Sequence, residues 1–297
     1  MKYLINKWDK VLSWIKKRYK VILTIVILLV SVPFIFTHCF NLTKISYRTL
    51  LFDKNKDKLY LNDTLLWDTG SFGSIIYEEH KEKIPNKIQI GYRLTFDTFY
   101  KMKLLKLYYS TQITLENSLS IKNFFFMTVN HPNWNNEIGF IGMDVIGTAN
   151  WLIDFNSEKV KIFPQNKTIE TKDFPQLKLK YKQKRRPKTQ LDFLEFQIKG
   201  VLIDAGCDDE IALLKSDIEK INKRYKPVDT LTSYRYGIYS TNPTIQYIYI
   251  YDTININNIC FSTVRIMENN KRLIGFQFFK RFNKVFLNTK EKAFYFY

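Results

Sequence analysis

The chain carries an internal repeat that limits the folds open to it. Residues 59–71, LYLNDTLLWDTGS, read as a strand, a two-residue turn at Asn62-Asp63, and an apolar strand ending in Asp68-Thr69-Gly70-Ser71. Residues 196–207, FQIKGVLIDAGC, follow the same plan and end in Asp204-Ala205-Gly206-Cys207. Each copy has an apolar-Gly pair downstream, Ile141-Gly142 and Ile274-Gly275, lying 73 and 70 residues after its Asp. Aligned without gaps, Asn150/Asn283, Glu158/Glu291, Lys159/Lys292 and Phe163/Phe296 also coincide. Two diverged copies of one unit of about 115 residues account for these matches. Runs of Ile, Val, Phe and Tyr alternate with turn signals such as Asn156-Ser157 and Asn257-Asn258, which predicts mostly β structure. Helical periodicity is confined to brief stretches, such as 213–225.

Charge divides the chain further. Lys and Arg number 46 against 28 Asp and Glu, a net of +18 that would ordinarily suggest a nucleic-acid partner. Residues 1–20 hold +6 of it and residues 167–188, with Lys184-Arg185-Arg186, hold +7. The remaining 255 residues carry only +5, so no basic groove for nucleic acid is expected. Between Val21 and Phe40 the chain is apolar, long enough to cross a hydrocarbon core of roughly 30 Å. The basic lead predicts a single-pass membrane helix with a cytoplasmic N-terminus and an extracytoplasmic body, with a bacterial inner membrane as the guess. A cleaved signal peptide is the rival reading. The expected organisation is a tail at 1–20, a transmembrane helix at 21–40, a first lobe at 45–166, a connector at 167–188 and a second lobe at 189–297. Three Cys and three His give neither a disulfide framework nor a multi-ligand zinc site, and no metal or cofactor is expected.

An apolar strand running into Asp-Thr-Gly-Ser, with an apolar-Gly pair some 70 residues later, resembles one lobe of the retropepsin-like and pepsin-like aspartic peptidases. The tandem pair resembles the bilobal arrangement and spans roughly residues 50–297. The resemblance implies a mainly β fold of two closed-β lobes with a cleft between them. It implies an endopeptidase, acting as a monomeric unit on a polypeptide substrate, with Asp68 and Asp204 as the catalytic pair. Two carboxyls near one water share a proton; the ionised one takes a proton from water and the other donates to the carbonyl oxygen. Thr69, Gly70, Ser71, Ala205, Gly206 and Cys207 are the expected supports of the two loops. The resemblance also implies flaps over the cleft, with Tyr92 and Tyr236 as tip candidates.

The second copy departs from that pattern. Ala205 lacks the hydroxyl that would brace the loops, and Cys207 stands where Ser or Thr is usual. A catalytically silent protein that binds peptide in the same cleft is therefore the alternative. Asp208-Asp209-Glu210 read as solvated turn residues, and Asp144 and Asp154 as surface or turn residues. Cys207 with His80 or His131 as a thiol-base pair is outweighed by unrelated roles. Trp134, Trp151 and Phe124-Phe125-Phe126 read as strand core.

Overall fold

The structure is a computed structural model; it describes residues 13, 16–21, 23–24, 43–61, 64–96, 102–115, 119–130, 137–167, 174–235 and 243–297. The apolar runs form three β-sheets. The N-terminal sheet orders Tyr60–Leu61, Leu65–Trp67, Gly139–Ile141, Ser74–Tyr77, Ser120–Val129, Met102–Thr114 and Lys87–Phe96, with Lys44–Ile45 also pairing Ser120–Val129. The C-terminal sheet orders Lys188–Phe193, Phe196–Ile203, Leu273–Ile274, Ile211–Leu213, Ile259–Glu268, Thr244–Ile256 and Asp229–Arg235. Short, wholly apolar strands sit at the centres because both of their faces are covered. Leu65–Trp67 pairs in parallel with Gly139–Ile141, and Phe196–Ile203 pairs in parallel with Leu273–Ile274. Long hairpins with one face open to water occupy the outer edges.

The third sheet joins the two halves. Its order is Leu177–Lys180, Ala293–Phe296, Lys284–Asn288, Asn150–Asp154, Lys159–Phe163 and Thr49–Leu51. Its middle pairing is antiparallel, with Trp151 opposite Leu287 and Ile153 opposite Val285. Above it lies one continuous core fed by both halves. Trp67 and Trp151 pack at 5.8 Å, and Phe155 of the first half meets Phe276 of the second at 5.8 Å. Trp151 and Phe124 are core as expected, while Trp134 and His131 lie outside the described residues.

The loops after the central strands repeat one hydrogen-bond plan. The Asp68 N–H donates to Ile141 O at 3.0 Å, and the Asp204 N–H to Ile274 O at 2.8 Å. The Met143 N–H then donates to Ser71 O, and the Phe276 N–H to Cys207 O. Each opens a one-turn helix, Met143–Ile146 and Phe276–Phe279. Beyond these helices the ungapped alignment slips by one residue. Trp151 pairs with Ile162 where Val285 pairs with Phe296, and the left-handed turn residue is Glu158 in one hairpin and Lys292 in the other. The second half spends one more residue between helix and strand. Asn150/Asn283, Glu158/Glu291, Lys159/Lys292 and Phe163/Phe296 are therefore not structural equivalents.

Two further expectations change. Leu177–Lys180, inside the basic 167–188 segment, is an edge strand of the joining sheet, with Leu177 and Leu179 buried. The expected membrane span at Val21–Phe40 falls outside the described residues except for Val21, Leu23 and Thr24. Among the described residues no helix is long and apolar enough to cross a membrane, so the single-pass description has no structural support. What stands of the fold expectation is a mainly β chain in three sheets.

Trp151 is fully buried and its Nε1 donates to Ile146 O at 2.8 Å. Trp151→Ala removes that bond and leaves a cavity under both loops, at an expected cost of about 3–5 kcal/mol. Denaturant unfolding of the two proteins measures it.

Candidate active site

Asp68 and Asp204 come together where the two apolar strands end. Both carboxyls are partly buried, and the Asp68 side chain hydrogen-bonds to that of Asp204. The Ser71 N–H donates to Asp68 Oδ1 at 2.9 Å, and the Gly206 N–H to Asp204 Oδ1 at 3.1 Å. The glycines set the approach. A Cβ on Gly70 would stand 2.1 Å from the Asp204 carboxyl carbon, and one on Gly206 would stand 2.5 Å from that of Asp68. Each acid thus rests on the other loop's backbone, a closeness that a side chain at either position would forbid.

Removal from water raises Asp68 well above the ordinary carboxylate range, and the neighbouring Asp204 charge raises it further. Burial raises Asp204 too, but the hydrogen bond from Asp68, the Gly206 N–H and the charges of Lys271 and Lys58 pull against that rise. Both acids are therefore raised, and the two titrate as one pair.

Thr69 is the brace between the loops. Its fully buried hydroxyl donates to Ile203 O at 2.8 Å and accepts from the Ala205 N–H at 2.9 Å. Ala205, equally buried, returns nothing from its side chain, so the brace is one-sided. Ser71 turns its hydroxyl to Gly73 O at 2.7 Å. Cys207 donates its thiol to Asp209 Oδ2 at 3.2 Å, and burial pushes that thiol well above its ordinary pKa. It is held protonated, which disqualifies it as a thiolate nucleophile. Cys207, Asp208 and Asp209 hold the one group of potential ligand atoms found among the described residues, within 4.8 Å of one another. A protonated thiol already bonded to one of the acids is a poor beginning for a metal site.

Several acids are placed otherwise than the sequence suggests. Glu210 is buried, accepts from the Arg265 N–H at 2.9 Å and pairs with Arg281. It supports the Asp204 loop from beneath and is no solvated turn residue. Asp144 is partly buried and takes the Ser74 N–H at 3.1 Å, the Ser74 hydroxyl at 2.8 Å and the Val145 N–H at 3.0 Å. It ties the strand after the Asp68 loop to the Met143–Ile146 helix. Asp154 does cap a turn, accepting from Asn156 and Ser157.

Of the flap candidates, Tyr92 alone is among the described residues. Tyr92 is 45% exposed on the outer face of Lys87–Phe96. Its neighbour Arg93 takes the inner face, 4.6 Å from the Phe72 ring. Tyr236 lies outside the described residues. Arg93 was missed because its alternation is fixed by a bulge between Gln89 and Gly91, which the residue pattern does not announce.

Two outcomes follow. Thr69→Val leaves the Ile203 carbonyl and the Ala205 N–H without their partner, costing about 1–3 kcal/mol for each stranded group; chemical denaturation reads the loss. Asp68 has a folded pKa above its unfolded value of about 3.9, so its proton stabilises the native state at low pH. That contribution is lost as pH rises through the folded value. Asp68→Asn stays neutral throughout, so its Tm, relative to the parent, climbs by a few degrees from pH 3.5 to pH 8. A flat difference would show that Asp68 is not raised.

No protein-family model matches the chain, and no curated protein matches it. Among solved structures it is similar to basic 7S globulin from soybean, with a TM-score of 0.49 and 9% identity over 85% of this chain and 94% of that one. It is also similar to conglutin gamma, a unique basic 7S globulin from lupine seeds, with a TM-score of 0.47 and 9% identity over the same shares. These neighbours correct the family reading of the motifs. Both of these neighbours are basic 7S globulins, so the retropepsin-like or pepsin-like assignment is withdrawn, and the protease and membrane labels drawn with it have no support from them. At this identity and these TM-scores the likeness carries no argument about activity.

Proposed function

We propose that the chain hydrolyses peptide bonds, using a water activated between Asp68 and Asp204. The observation that carries this reading is the hydrogen bond between two partly buried carboxyls, each seated on the opposite loop's glycine. Ionised Asp204 takes a proton from the water as its oxygen bonds to the carbonyl carbon. Asp68 gives its proton to the carbonyl oxygen, so negative charge never accumulates there. The resulting diol collapses when the amine nitrogen receives the proton held by Asp204, the C–N bond breaks, and a diol hydroxyl returns its proton to Asp68. No covalent intermediate is required. The polypeptide would lie across the two loops, beside the Lys87–Phe96 hairpin.

One observation favours a second reading. The brace is one-sided at Ala205, which loosens the geometry on which proton transfer depends. The same cleft would then hold a polypeptide without cutting it.

The full chain, incubated with a mixed peptide library from pH 3 to 8, separates the two. Hydrolysis is expected to fall on the acid side as Asp204 takes a proton and on the alkaline side as Asp68 loses one. Because both pKa values are raised, the optimum lies above the ordinary carboxylate range. Asp68→Asn and Asp204→Asn should each cut turnover by at least about 10³-fold, since either removes one partner of the transfer. Cleavage that survives either change ends the hydrolytic reading. Peptide binding without cleavage in the parent chain selects the second.

A further inference from the structure

Thr263 takes a left-handed backbone conformation, φ 51°, within the strand Ile259–Glu268. A β-branched residue there is strained unless its surroundings hold it. Strand register places the same kink in the first half. Ile75 lies opposite Phe140 and beside Met127, and Ala212 lies opposite Leu273 and beside Met267. Thr263 therefore corresponds to Asn123, whose φ is also 51°. Asn123 is held locally: its carbonyl accepts the Thr43 hydroxyl and its side chain the Tyr109 hydroxyl, each at 2.9 Å. Thr263 is held from further along the chain. Arg281 donates from Nη2 to Thr263 O at 2.8 Å and from Nη1 to Ser262 O at 2.9 Å.

The remaining donor of the same guanidinium meets the acid loop. Arg281 Nε donates to Glu210, which is buried and takes the Arg265 N–H on its other oxygen at 2.9 Å. The Glu210 carbonyl accepts the Gly275 N–H at 2.9 Å, so Glu210 closes the loop that begins at Asp204. A guanidinium is flat and its donors are fixed in one plane, so these contacts set the loop and the kinked strand relative to each other. The first half is built differently. By the same register Glu210 corresponds to Gly73, which has no side chain to offer. Six residues after Gly142 stands Thr148, whose hydroxyl turns back to Val145 O at 2.7 Å. Where Ala205 returns no hydroxyl, the Arg281 clamp gives the Asp204 loop a second tie beside the Thr69 bond.

We propose that Arg281 is a positioning residue for Asp204, setting that acid's distance from Asp68 by tying its loop to the kinked strand. It acts through Glu210 and not on the reacting atoms. The proposal rests on the hydrolytic reading above for its effect on turnover, but not for its effect on the acid pair itself. Losing the guanidinium would free the loop and also strand the Glu210 carboxylate, two effects that need separating. The other charges facing Asp204 are Asp68, the attracting Lys271 and Lys58, and Asp208 and Asp209 around Cys207. A change at 281 replaces none of them.

The test uses the full chain with 13C-labelled Asp carboxyls, titrated by NMR and assayed in parallel for peptide hydrolysis. Asp68→Asn and Asp204→Asn assign the two signals. Two acids that share a proton titrate at well-separated apparent pKa values, and the gap narrows as they move apart. Arg281→Met is expected to reduce the ratio of the two ionisation constants by about tenfold or more. It should lower kcat about 30-fold while KM changes by less than about threefold, the mark of lost geometry and not of lost binding. Arg281→Lys keeps the charge without the planar fork and should fall between. Glu210→Gln combined with Arg281→Met removes the stranded carboxylate but leaves the clamp broken, so the narrow gap and low kcat should persist. A double variant that returns to the parent in both readouts shows charge at work instead of position, and overturns the proposal. So does a folded Arg281→Met chain whose gap equals the parent's. Should Arg281→Met not fold, Arg281→Lys decides: a narrowed gap upholds the proposal and a parental gap overturns it. A gap that narrows in a chain without turnover retains the positioning role and removes the hydrolytic reading; turnover with an unaltered gap does the reverse.

Discussion

Each of the two central acids leans on the glycine of the other's loop, and the architecture around them can be read as what that contact demands. Two carboxyls confined near one another in a partly dry place repel unless a proton is shared between them. Sharing is possible only if the loops close to van der Waals distance, which removes any side chain at Gly70 and Gly206. Closing the loops requires that the strands ending in Trp67 and Ile203 be aimed at each other. The continuous core beneath them, with its Trp67–Trp151 and Phe155–Phe276 packing, fixes that aim.

The stabilisation is unequally distributed. The Asp68 loop carries the hydroxyl that bonds across to Ile203 and Ala205, and its own shape is closed by Ser71 and by Asp144 behind it. The Asp204 loop has no hydroxyl to return and relies instead on a partly buried ion pair, Glu210 with Arg281, from 71 residues further along. A buried ion pair carries a desolvation penalty that backbone donors must offset, and the Arg265 N–H is one such donor. Symmetry in the backbone is thus maintained by dissimilar side-chain chemistry.

Much of this was legible in the text, for reasons that differ by residue. Asp68 and Asp204 stood out because each ends an apolar run, has a Gly two positions on, and has an apolar-Gly pair at matched distance. Parallel pairing of those distant strands follows from that spacing once the chain is folded. Arg93 and Tyr92 were not separable, because a single bulge decides which of two adjacent residues faces inward. Glu210 reads like its acidic neighbours until Arg281 is brought to it by the fold. The one-residue slip after Gly142 and Gly275 was hidden by chance identities, since Asn and Lys recur throughout the chain. Ala205, by contrast, announced the missing half of the brace without help.

The joining sheet has a consequence for the order in which the molecule can be made. Its central strands come from residues 150–154 and 284–288, and its Leu177–Lys180 edge pairs with 293–296. The Asp204 N–H is likewise bonded to Ile274. Pairings of such long sequence separation form late, because the intervening chain must be closed first. While the chain is being synthesised, a nascent fragment can complete much of the Asp68 half, yet its second acid has no support until residues 274–296 have emerged. The acid pair therefore comes into being only after residues 274–296 have been made, and a chain truncated before them would leave the ribosome without it.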